Sequence, residues 1–134
     1  MRSFIFLCDT TTEQECLDRS LFGTNAGEGY DRHYRHVAIG DRLFLYNFET
    51  GVFRGPFAAL TACLNNLEPK AWKKTRRSFP WQVRVDGKAM KAAALTDAIT
   101  AFIPLAETKV GLLPPPELTE EQVERLLRVL DDGS

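Results

Sequence analysis

The run from Gly40 to Ala59, Gly-Asp-Arg-Leu-Phe-Leu-Tyr-Asn-Phe-Glu-Thr-Gly-Val-Phe-Arg-Gly-Pro-Phe-Ala-Ala, constrains this chain more than any other segment. Arg42 to Phe48 is dense in aromatic and aliphatic residues and reads as a strand. Glu49-Thr50-Gly51 supplies a tight reversal, and Val52 to Ala62 reads as the returning strand. Gly55-Pro56 interrupts that second strand. Proline has no N–H to give to a ladder, so a bulge or an edge is expected there. A chain built around such a hairpin must cover it with its remaining segments.

Those segments are short. Phe4 to Cys8 is an apolar run too brief for a helix and reads as a buried strand. Thr12 with Glu15 has the spacing of a capping box, and Cys16, Leu17 and Leu21 form a helical stripe that ends before Gly23. Residues 23 to 36 hold three glycines and no apolar period, which predicts a long loop. Residues 63 to 78 read as a second loop, basic at its end. Phe79 to Val85 is a further strand closed by Asp86-Gly87, with a short strand through Lys88 to Met90 beside it. Leu95, Ile99, Phe102 and Ile103 predict a brief helix stopped by Pro104, and the prolines 114 to 116 form a stiff lead-in. The last helix is the best specified. Thr119 with Gln122 gives a capping box, Leu118 with Val123 a hydrophobic staple, and Val123, Leu126, Leu127 and Leu130 an i, i+3, i+4, i+7 stripe.

At 134 residues and 44% hydrophobic content the chain suits one domain, spanning 1–134, with a core that needs no disulfide or metal. The net charge of -1 conceals a basic run, Lys70, Lys73, Lys74, Arg76, Arg77 and Arg84, and an acidic C-terminal end. Cys8, Cys16 and Cys63 are an odd number without Cys-x-x-Cys spacing, which fits reduced thiols rather than a disulfide framework or zinc site. No apolar run approaches the roughly 20 residues of a spanning helix, and no secretory pattern opens the chain. A cytoplasmic protein with no membrane partner is therefore expected.

Several motifs in order, Phe4-Ile5-Phe6-Leu7-Cys8-Asp9, Thr12-x-x-Glu15-Cys16, Leu21-Phe22-Gly23, Gly40-Asp-x-Leu-Phe-Leu-Tyr-Asn47 and Phe79-Pro-x-Gln-Val-Arg84, resemble the DCD (development and cell death) domain. The resemblance covers nearly the whole chain. The order of strand, helix, loop, hairpin, tryptophan-bearing basic loop, strand and helix is also similar to YTH and EVE domains. These are PUA-like folds that bind RNA or read modified bases. The resemblance implies an α+β, PUA-like, partly open β-barrel of about five to six strands with flanking α-helices. It places Trp72 where one tryptophan of the YTH aromatic cage sits. The other falls near Gly23 to Asn25, where no aromatic stands, so Phe22 or Tyr30 would have to substitute.

The candidate site follows from residue chemistry. Lys70, Lys73, Lys74, Arg76 and Arg77 interleave with Trp72 and Phe79, a pattern that suits phosphate neutralisation combined with base stacking. A solvated loop with Trp72 packed on the barrel rim is the plainer alternative. Asn47 offers an amide to a base edge, or only an Asx turn to the hairpin. Thr24 and Asn25, after Phe22-Gly23, lie at the mouth of the first loop; the glycine there either frees backbone N–H groups for a ligand or merely ends the helix. His33 and His36 with Asp31 lack a third ligand, so no metal is assigned, and Arg32, His33 and Arg35 are left as loop surface or phosphate contacts. Cys8 and Cys16 read as small hydrophobes. No Ser-His-Asp, Cys-His or paired-carboxylate arrangement is present, nor a phosphate-cradling glycine motif, so neither an enzyme nor a cofactor is expected.

The expectation is thus a nucleic-acid-binding module for single-stranded RNA or DNA, RNA in preference, or a modified base within it. Trp72 would stack and Lys73, Lys74, Arg76 and Arg77 would hold phosphates, with Asn47, Thr24, Asn25 and Phe22 around them. The alternatives are a protein-interaction module of stress or cell-death signalling, and a small-molecule pocket lined by Asn47 and Trp72.

Overall fold

The structure, a computed structural model, describes residues 1–24, 33–73 and 79–132. β1 (Ser3–Cys8) leads into α1 (Thr10–Arg19), followed by β2 (Leu21–Thr24), a 3-10 turn at Tyr34–His36, and the hairpin β3 (Arg42–Asn47) and β4 (Val52–Ala59). After β5 (Leu64–Asn65) come β6 (Trp81–Asp86), β7 (Lys91–Ala94) and α2 (Asp97–Thr100). A separate hairpin, β8 (Ala106–Thr108) with β9 (Gly111–Leu113), precedes β10 (Glu117–Leu118) and α3 (Glu120–Asp131).

Eight of these strands form one mixed sheet, in the order β10-β1-β3-β4-β6-β2, with β5 on β6 and β7 on β4. β1 and β3 are parallel and the other described pairs antiparallel. The sheet turns at β4, whose first half, Val52 to Gly55, pairs with β7 and whose end, Ala58 and Ala59, pairs with β6. The register with β3 shifts between Leu43 and Leu45, the bulge expected from Gly55-Pro56. Gly55 has φ 156° and lies against Phe44, so a Cβ there would meet the ring. β10 and β2 end the sheet and no ladder joins them among the described residues, so the barrel is open along that seam.

Both faces of the sheet are covered, which explains why Phe4 to Cys8 of β1 and Leu43 to Tyr46 of β3 are apolar in continuous runs rather than alternately. Phe4, Phe6, Leu43 and Leu45 face one core with Phe22, Phe57, Val83 and Cys16 of α1. Ile5, Phe44 and Tyr46 face the other with Phe53, Ile99 and the α3 residues Val123, Leu126 and Leu130. α3 has the capping box of Thr119 and Gln122, and its buried stripe is Val123, Leu126 and Leu130.

Three local expectations are corrected. The cap of α1 is Asp9, whose carboxylate accepts from the N–H groups of Thr11 and Thr12 while the Thr12 hydroxyl accepts from Asp9 N–H. Aspartate caps as well as threonine does, and the helix starts one turn earlier for it. The helix stops at Ser20, in the left-handed region at φ 50°, so Leu21 belongs to a strand. The strand after Gly87 is at Lys91–Ala94 rather than Lys88 to Met90 and pairs with β4 instead of β6, and the segment around residues 106–113 forms a hairpin.

Candidate nucleic-acid interface

The open seam is a cleft of ≈ 700 Å³. Its lining divides by core: Cys8, Tyr34 and Phe79 pack with the first, beside Asp9, Thr12, Gly23 and Thr24 (the inner end), and Leu7, Phe48 and Leu105 with the second, beside Val110, Leu113 and the prolines 114 to 116 (the outer end). Among the described lining residues none is cationic, and Asp9 is the one carboxyl.

Strand geometry sets what the walls present, because successive residues turn their N–H and C=O to opposite sides. Cys8 C=O accepts from Phe48 N–H on the β3 side at 3.1 Å, whereas Ile5 donates to Pro116 C=O at 2.8 Å on the other side. Leu7 therefore faces with Ile5, into the cleft. On β2, Ser20 C=O accepts from Val85 N–H of β6 at 3.0 Å, so by alternation Gly23 turns its N–H and C=O to the free edge. The inner end thus combines a Gly23 backbone edge with no described strand beside it, the half-buried Thr24 and the half-buried ring of Phe79.

Trp72 is not in this cleft but behind it. The indole is 1% exposed, packed edge-to-face on Phe79 with centroids 5.3 Å apart and interplanar angle 81°. It reaches into the space that the missing side chain of Gly23 leaves: a Cβ on Gly23 would lie 2.6 Å from Trp72 Cη2. The expected stacking indole, open to solvent, is therefore corrected to a core residue, since burying so large an apolar ring outweighs leaving it in a charged loop. Its backbone, at φ 61°, is held by N–H donation to Glu15 Oε2 at 2.6 Å, an oxygen that also accepts from Arg19 Nε at 2.8 Å.

The loop bearing the basic run is anchored at both ends by one side chain. Gln82, 2% exposed, accepts from Glu68 N–H at 2.7 Å and donates to Glu68 C=O and Phe79 C=O. A hydrogen bond from Arg84 at 2.6 Å holds the Glu68 carboxyl below its ordinary range, with the charges of Arg84 and Arg19 adding to it. Lys73 is exposed and borders a depression with Lys70, Arg19, Glu15 and Asp18, so the described ground beside Trp72 is of mixed sign rather than one positive groove. Lys74, Arg76, Arg77 and Asn25 lie outside the described residues, as does Tyr30.

Phe22, fully buried, packs on Phe6 and Phe57 and is corrected from contact residue to core. Asn47, 1% exposed, takes the Asx role: its Oδ1 accepts from Glu49 and Thr50 N–H at 2.9 and 3.2 Å. Burial pushes the Cys16 thiol up to about 12, a hydrogen bond with Trp72 opposing it, and burial pushes Cys63 up to about 12 as well. Cys8 is raised too, first by burial and then by Cys16. Such thiols are not nucleophiles. No grouping of metal-ligating side chains occurs among the described residues, and no described helix is long and apolar enough to cross a membrane. Sequence reasoning overlooked Gln82 and Glu15 as anchors; Gln82 lay in plain view within Phe79-Pro-x-Gln-Val-Arg84, but its partners are long-range.

A family model described as the development and cell death domain matches residues 2–130. The chain is 38% identical over 86 residues to the B2 protein of Daucus carota, an alignment covering 61% of this chain and 41% of that one. It is 37% identical over 86 residues to the DCD domain-containing protein NRP-B of Glycine max, covering 61% of this chain and 26% of that one. The match thus spans less than half the length of these relatives. Among solved structures, the YTH domain-containing protein mmi1 in complex with RNA superposes with a TM-score of 0.65 at 18% identity, over 97% of this chain and 81% of that one. The YTH domain of Zygosaccharomyces rouxii MRB1 in complex with N6-methyladenosine RNA gives a TM-score of 0.67 at 12% identity, over 96% and 86%. The fold is that of YTH domains.

Proposed function

The chain belongs to the development and cell death domain family, and from that premise we propose that it is a non-catalytic module that binds single-stranded nucleic acid, RNA in preference to DNA, by taking one base into the inner end of the seam cleft. The observation that carries this reading is the cleft itself, set in a fold whose solved relatives include RNA complexes. A base needs a flat apolar face and a hydrogen-bonding edge. Phe79 offers the first, and the backbone of Gly23 with the hydroxyls of Thr24 and Thr12 the second. Phosphates would be met by Lys73 and by Lys74, Arg76 and Arg77, which follow it in sequence. With Trp72 and Phe22 in the core, neither of these two rings walls the base in this reading.

Fluorescence anisotropy with labelled RNA octamers at low salt tests it. Phe79→Ala is expected to weaken binding by about 5- to 150-fold, from a stacking contribution of roughly 1–3 kcal/mol. Because Phe79 also supports Trp72, Thr24→Trp serves as a second variant that fills the cleft from its rim. Binding unchanged in both variants, or no RNA binding by the parent chain at low salt, would overturn the proposal.

A further inference from the structure

The outer end of the cleft has features that a nucleotide does not use. Its lining, Leu7, Phe48, Leu105, Val110 and Leu113, is apolar, and no cation stands among the described lining residues to meet a phosphodiester. It also contains an unfinished ladder. β10 pairs with β1 only at Ser3 and Phe4, and Ile5 N–H goes to Pro116 C=O. Upstream the chain is proline at 114 to 116, and proline has no N–H to donate, so β10 cannot be extended along β1. Leu7, whose N–H and C=O face that side, is left beyond the last described strand pairing. Opposite it stands β8-β9, a two-stranded hairpin that joins no other described strand and exposes Val110 by 59% and Leu112 by 51%. Two-stranded ribbons are marginal in water unless something packs on them.

We propose that this outer compartment docks an extended, uncharged, apolar peptide segment of a partner protein, which continues the line of β10 by pairing with the backbone of Leu7 and seats its side chains between Phe48, Leu105 and Val110. An extended peptide meets both features at once: its backbone supplies the donor that Pro114 to Pro116 lack, and its side chains cover the apolar wall. This site stands beside the proposed base site and does not rest on it.

The test uses the whole chain and a pool of capped, fluorescein-labelled, uncharged decapeptides alternating Leu or Val with Ser or Thr. The parent is expected to bind members of the pool in fluorescence polarisation, and the same peptides N-methylated at alternate backbone positions to bind at least about tenfold more weakly, since methylation removes the N–H groups that pair. Val110→Glu and Ala106→Glu, both at exposed positions of the hairpin, are expected to lose peptide binding by a similar factor while keeping their thermal midpoint and their RNA affinity. Equal binding of methylated and unmethylated peptides, indifference to both glutamates, or no binding by any member of the pool would overturn the proposal. Loss of RNA and peptide together in the glutamate variants would also overturn it, as one shared nucleic-acid surface rather than two compartments.

Discussion

Replacing Gly23 by alanine isolates the contact that fixes both the core and the inner end of the cleft. Gly23 lies in an ordinary strand conformation, so alanine introduces no backbone strain and the whole effect is steric. The new methyl would stand 2.6 Å from Trp72 Cη2, 2.8 Å from Trp72 Cζ3 and 2.8 Å from Phe79 Cβ. Relief requires moving a rigid, buried indole whose residue is held at its backbone N–H by Glu15, or the backbone at Phe79 that Gln82 holds. Overpacking of this kind costs about 1–3 kcal/mol, and complete ejection of the indole would approach the roughly 3–5 kcal/mol of a Trp→Ala truncation. An intermediate loss of about 2–3 kcal/mol is expected, since the ring can tilt before it leaves. In a domain of this size that lowers Tm by roughly 6–15 °C. Urea unfolding and thermal melts measure the loss, and in a Trp81→Phe version the remaining indole emission should shift red. The decisive result is the double-mutant cycle with Trp72→Leu, whose narrower side chain should make room for the methyl. Coupling of at least about 1 kcal/mol is expected. Additivity within about 0.5 kcal/mol, or a Gly23→Ala variant as stable as the parent, would refute the steric reasoning.

Three further outcomes follow from named contacts. Glu15→Ala strips the acceptor from the Trp72 backbone N–H and is expected to cost about 1–3 kcal/mol in urea unfolding, while Glu15→Gln keeps an oxygen there and loses much less. Gln82→Leu leaves Glu68 N–H, Glu68 C=O and Phe79 C=O without their partner, so hydrogen exchange at Glu68 and RNA affinity should both report a loosened loop; exchange no faster than in the parent would count against the anchor. The buried thiols set an alkaline limit. Cys16 and Cys63 ionise near 9.0 when unfolded but only at about 12 when folded, so the stability they contribute is complete below pH 9 and is lost as pH rises toward 12. The urea midpoint should fall across that window, and the fall should flatten in a Cys16→Ala, Cys63→Ala double variant.

The parts of this architecture that are local in sequence were legible in it, and the parts that depend on distant partners were not. The β3-β4 hairpin, its bulge at Gly55-Pro56 and the cap and stripe of α3 each rest on residues a few positions apart. The Asx bond of Asn47 is local too, which is why its plain role was readable. Trp72 was misplaced because its burial depends on the absent side chain of Gly23, far away in sequence, while its immediate neighbours are lysines. The cap of α1 was missed by one turn because Asp9-x-x-Thr12 and Thr12-x-x-Glu15 are both sound capping patterns. What decides between them is that Glu15 is taken by Trp72 and Arg19. Short strands such as β5 and β10 have too few residues for a period and exist only through their partners.

The cleft is itself a product of terminations rather than of a dedicated motif. Asp9 ends β1 by capping α1, so β1 does not run on past Cys8. Ser20, in the left-handed region, turns the chain out of α1 and sends β2 onto β6, leaving the other edge of Gly23 without a described strand partner. Pro114 to Pro116 keep β10 from continuing along β1. Each is an ordinary stop signal, yet they act on β1, β2 and β10, the strands around the seam, and together they leave the barrel open there. Substitutions that extend a strand there, such as replacing Pro115 and Pro116 by valine, should therefore lengthen the β1-β10 ladder and narrow the cleft at Leu7. Slowed hydrogen exchange at the Leu7 amide together with weaker ligand binding would be the signature, whereas unaltered exchange would mean that the prolines are not what holds the seam open.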